Sequence, residues 1–130
     1  MRRSAAALLL VVAACGSNSG AEAERSYAIG LEVEDDGERY RYVATDPVDI
    51  RVGDEVTFEL DNTGTLIHDL QVVDPDGNRV GYAEPTAPGA VASVTVRFDG
   101  AGFFRLDCLV DDHLTEHEMQ TFFEVTDPST

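Results

Sequence analysis

The chain predicts an all-β fold, an antiparallel β-sandwich with Greek-key connections. Three observations lead there. Apolar residues recur at a period of two in short runs, turn residues punctuate those runs at short intervals, and no stretch shows a convincing helical period. At 130 residues the chain is enough for one domain, with a core made by one sheet-on-sheet interface.

The N-terminus reads as a targeting segment. Arg2 and Arg3 form a short basic region, followed by the apolar run from Ala5 to Ala14 and then Cys15. That run is too short for a permanent membrane span and reads as a signal peptide over residues 1–14. Val12-Ala13-Ala14-Cys15 resembles the lipobox of bacterial lipoproteins, which implies cleavage before Cys15 and lipidation of its sulfur. An ordinary secretory signal with a chance cysteine is the other reading. Residues 15–25 then form a small, polar tether, and the folded domain occupies 26–130.

From Ser26 the elements follow in order. Tyr27, Ile29, Leu31 and Val33 alternate as a half-buried strand, and Asp35-Asp36-Gly37 is a turn. Tyr40 and Tyr42 begin a second strand. After the break at Asp46-Pro47, Val48, Ile50 and Val52 lead to a tight turn at Gly53-Asp54. Val56, Phe58 and Leu60 form the next strand, closed by Asp61 to Gly64. Leu66 to Val73 opens another around His68, and Asp74-Pro75-Asp76-Gly77 turns it. Gly81 to Gly89 holds two prolines and reads as loop. Val91 to Phe98 is a strand whose facing the pattern leaves open. Phe104, Leu106 and Cys108 mark the buried face of a further strand, and Thr121 to Val125 supplies the last.

Between those last two strands lies a concentration of soft ligands. Cys108, His113, His117 and Met119 all fall within the stretch from Gly102 to Met119. Thiolate, imidazole and thioether together suit a soft transition metal, copper above all. A second histidine from elsewhere would complete the set, and outside this stretch His68 alone can supply it. If Cys15 carries lipid, Cys108 has no disulfide partner in the mature chain. An unpaired thiol outside the cytosol is open to oxidation unless buried or metal-bound.

Charge bounds the partners. The chain carries 25 acidic and 9 basic residues, a net charge of −16, and every basic residue is an arginine. Loss of Arg2 and Arg3 with the signal leaves seven arginines against 25 acids, near −18. Nucleic-acid binding is excluded by that sign. Two readings of the acidity remain: a surface that steers a basic redox partner such as a cytochrome, or a solvation habit of a salty medium or a GC-rich genome.

Val52-Gly53-Asp54-Glu55-Val56-Thr57-Phe58, then Asn62-x-Gly64 and His68, resembles the first half of a cupredoxin. Gly102-x-Phe104-x-Leu106-x-Cys108, four residues, His113 and later Met119 resembles the second. The resemblance runs from Val48 to Val125 and implies a blue copper protein that carries single electrons. It implies one mononuclear type 1 copper held by His68, Cys108 and His113, with Met119 as the weak axial ligand. There are departures. Five residues separate His113 from Met119, and His117 occupies the extra space as a bystander, a further or replacement ligand, or an exposed edge residue. Asp111-Asp112 stands where proline and glycine are often seen, and Asp69 where an asparagine commonly braces the ligand loop.

The function expected is that of a lipid-anchored, monomeric copper electron carrier on the outer face of a membrane, working with a redox partner protein and not as an enzyme. A copper-delivery module without electron transfer, or a metal-free interaction domain, are the alternatives.

Overall fold

The computed structural model describes residues 23–128, so the expected signal peptide and Cys15 lie outside the described residues. Among the described residues no helix is long and apolar enough to cross a membrane. Nine strands among the described residues make two sheets. In the first, β1 (Arg25–Glu34) lies between β2 (Arg41–Ala44) and β4 (Asp54–Asp61), and β7 (Val91–Arg97) borders β4. In the second, the order is β3 (Ile50–Arg51), β9 (Gln120–Thr126), β8 (Gly102–Asp107), β5 (His68–Val73), β6 (Arg79–Thr86). The expected sandwich is therefore present. Most of its ladders are antiparallel, while β1 with β4 and β3 with β9 run parallel.

Alternation explains the layers. Ile29, Leu31 and Val33 of β1, Val56, Phe58 and Leu60 of β4, and Leu70 and Val72 of β5 are buried, as are Phe104, Leu106 and Val125 across the interface. In β1 and β4 these residues point inward at a period of two while most of their neighbours face water, whereas β5 is buried on both faces. The strand whose facing was open turns Val96 and Phe98 into the core and leaves Val91 exposed, with Thr95 bonded to Thr57 on the outer face.

Two parallel ladders need crossovers, and residues 45–53 complete one by leaving the first sheet after β2, passing through β3 of the second and returning at β4. Its return is anchored at Asp54, which is buried and accepts hydrogen bonds from Arg25 at 2.9 and 2.6 Å, Tyr27 at 2.7 Å and the Arg51 amide at 2.9 Å. Gly53 makes the turn with a φ of 99°, a region costly for other residues.

The expected loop from Gly81 to Gly89 is corrected: most of it is the edge strand β6. Proline is tolerated there because an edge strand, or a bulge, leaves its missing donor unneeded. The ladder shifts between His68–Thr86 and Leu70–Ala83, placing an extra residue of β6, beside Pro85, in a bulge. Gly81 is small for a packing reason, since a Cβ there would come 2.7 Å from Val96. β5 also starts later than expected, at His68, leaving Leu66 and Ile67 exposed.

Candidate metal centre

The first residue of β5 and the loop between β8 and β9 meet at one end of the sandwich. There the Nδ1 atoms of His68 and His113 approach Cys108 Sγ at 3.7 and 3.5 Å. The donor atoms of these three residues lie within 4.8 Å of one another, and all three residues are buried. The structure thus brings together the histidine from the middle of the chain and the cysteine and histidine from its end.

Main-chain bonds hold the loop. The Cys108 amide donates to the Met119 carbonyl at 3.1 Å, and the Met119 amide donates to the His113 carbonyl at 2.9 Å. Met119 itself is fully buried. Asp111 and Glu118 have φ of 46° and 51°, so the loop bends through left-handed backbone at both ends. Asp69 braces this arrangement from β5. One carboxylate oxygen accepts the Leu109 amide at 2.7 Å, the other accepts the Tyr82 hydroxyl at 2.6 Å, and the Asp69 carbonyl accepts from Tyr42. The acceptor-only role open to an aspartate is the one it fills.

His117 is placed apart from the three-donor group. Its Nδ1 donates to the Glu38 carbonyl at 2.8 Å, which fixes its tautomer, and its ring stacks on Tyr40 at 4.0 Å. Its ring centroid is 6.4 Å from that of His113, and its Nε2 lies 3.8 Å from Asp112.

The sequence reading missed two residues of the site. Asp35, taken as a turn residue, accepts a hydrogen bond from His68 Nε2 at 2.8 Å. Tyr40, taken as a strand residue, stands edge-on to both His113 and His68, with centroids at 5.0 and 6.1 Å. Acidic turn residues and strand tyrosines are common, so neither carries a signal of its own in the sequence.

Burial and neighbouring groups set the protonation of the site. Burial pushes the Cys108 thiol up to about 11. Burial and then the neighbouring His68 hold His113 below the ordinary imidazole value, keeping its lone pair free. Burial alone would raise Asp35, but its bonds to His68, Leu66 and Thr65 outweigh that and hold it below the ordinary carboxylate value. Two imidazoles and one thiol, screened from water and converging from separate elements, fit a copper ion by donor type.

No family model matches the chain, and no curated protein matches it. Solved structures do. The chain is similar to auracyanin A, a "blue" copper protein from the green thermophilic photosynthetic bacterium Chloroflexus aurantiacus, with a TM-score of 0.61 and 14% identity over 77% of this chain and 98% of that one. It is similar to auracyanin B, with a TM-score of 0.64 and 14% identity over 77% of this chain and 88% of that one. It is also similar to a multicopper oxidase, with a TM-score of 0.54 and 18% identity over 79% of this chain and 44% of that one. One fold thus serves a small copper protein and an oxidase, and function must be argued from the site. At these identities the likeness is one of architecture: the chain has the cupredoxin-like β-sandwich fold that its sequence predicts.

Proposed function

We propose that the protein is a mononuclear copper electron carrier, tethered through a lipid on Cys15 to the outer face of a membrane. The observation that carries this reading is the buried convergence of two imidazole Nδ1 atoms on one cysteine sulfur. In this reading His68, Cys108 and His113 hold the metal, and bound copper supplies a one-electron Cu(I)/Cu(II) couple. Met119 is the weak fourth ligand, supported by its full burial and by the main-chain bonds that tie it to Cys108 and His113.

The chain's own residues do the rest. His68 is held by β5, Cys108 follows β8 directly, and His113 is tied to Val110 and Met119 by main-chain bonds. A donor set fixed on two strands and a braced loop moves little between oxidation states, which favours fast electron exchange. Burial of all three donors argues against ready release to an acceptor, and so against a delivery module. The chain has three histidines; two are in the cluster and the third is bonded to Glu38, leaving none for the second copper site of an oxidase. The leader and lipobox-like residues support an extracytoplasmic position, and the acidity supports a basic redox partner.

The test is an absorption and electron paramagnetic resonance spectrum after one equivalent of Cu(II). An intense visible thiolate-to-copper band with a reversible couple is expected, and Cys108→Ser should abolish it. A band that survives that substitution would sink the assignment. A weak, ordinary Cu(II) spectrum from the unaltered protein would turn the reading to a delivery module.

A further inference from the structure

Asp35 follows the last residue of β1, and both its oxygens are engaged. The Thr65 amide donates to them at 3.0 and 2.9 Å, the Thr65 hydroxyl at 3.1 Å and the Leu66 amide at 3.0 Å. His68 Nε2 lies 2.8 Å from the oxygen that Leu66 also binds. The side chains of His68 and Asp35 are 0% and 2% exposed. Amide groups can only donate, so the carboxylate accepts on both oxygens and the proton of the His68–Asp35 bond sits on Nε2. That leaves the lone pair on Nδ1, the atom facing Cys108.

We propose that Asp35 is the positioning residue of the copper centre: it locks His68 in the Nε2–H tautomer and sets a buried negative charge behind the ring that favours Cu(II) over Cu(I). The inference rests on the copper reading above. A carboxylate behind a ligating imidazole fixes the ring's orientation and raises its basicity. Its charge also acts in a poorly screened interior, where it stabilises the more highly charged metal state more strongly. A carbonyl oxygen in the same place would orient the ring without that bias. The surroundings are built for the carboxylate. The Thr65 and Leu66 amides serve it rather than a strand ladder, and residue 64 is glycine where any Cβ would collide with the Asp35 carboxylate. Tyr40, edge-on to His68, helps keep water out.

The experiment compares Asp35→Asn with the unaltered protein by Cu(II) and Cu(I) competition titrations and by voltammetry. Cu(II) affinity should fall about 10- to 100-fold, in the range found for lost outer partners. Cu(I) affinity should fall by at least tenfold less, so that the potential rises by about 59 mV for each tenfold difference. Equal losses in both states, or no loss, would overturn the charge role. Because Asp35→Asn could fail to fold, the tautomer is read in the unaltered metal-free protein by long-range nitrogen–proton NMR of the His68 ring. A proton on Nε2 is expected, and one on Nδ1 would overturn the proposal. Failure of the copper reading is separable from these outcomes. If the unaltered protein gives no thiolate-to-copper band, the ring tautomer and the Zn(II) affinity of Asp35→Asn still decide whether Asp35 positions His68.

Discussion

Cys108 shows how one residue's surroundings dictate its chemistry. The thiol is fully buried, and burial pushes it up to about 11, so little thiolate exists near neutral pH and a metal must displace the proton as it binds. Metal-free folded protein should therefore react with iodoacetamide at pH 8 at least tenfold more slowly than the same protein in urea. Equal rates would mean that the sulfur is reachable and the site open. Much of the site was legible at this scale. Cys108, His113 and Met119 lie close together in the chain, and His68 is the one histidine outside their stretch. Asp35 was not legible, because its bond to His68 spans 33 positions and its local setting is that of an ordinary turn. His117 could be sorted only by seeing the Glu38 carbonyl and the Tyr40 ring that engage it.

Among the elements, β1 and β4 depend on the ionic cluster at Asp54. The Arg25 guanidinium, with help from the Arg51 amide and the Tyr27 hydroxyl, holds that carboxyl at about 2 against an ordinary 3.8, despite its burial. The folded-state value is depressed, so the unfolded chain binds the proton more readily, and stability rises with pH through this window. The contribution is fully present above about pH 4 and is lost as pH falls towards 2, an effect on the order of 2 kcal/mol. Asp54→Asn should flatten the acid limb of the urea-unfolding profile over that window; an unchanged limb would show that Asp54 does not link folding to pH. Strands with one wet face were readable because alternation marks them, as in β1 and β4. β6 was hidden because its glycine and proline mimic a loop, while their actual causes lie in other strands: Val96 crowding Gly81, and an edge position that excuses Pro85.

For the whole molecule, charge is the dominant property. Asp111, Asp112, Glu116 and Glu118 are all exposed on the loop that covers His113, so the acidity of the chain reaches the mouth of the site. If a basic partner docks there, its association rate should fall on the order of tenfold or more as ionic strength rises from low to physiological values. A flat response, measured by stopped-flow with a cationic cytochrome, would favour acidity as a solvation habit. The order of the strands has a temporal meaning as well. Asp35, Tyr40, His68 and Asp69 all precede Cys108, and the ligand loop and β9 follow it. A chain that emerges from its N-terminus therefore presents the Cys108 sulfur late, when most of the walls that will enclose it have already been made. The interval in which that sulfur meets an oxidising medium is set by the delivery of one loop and one strand.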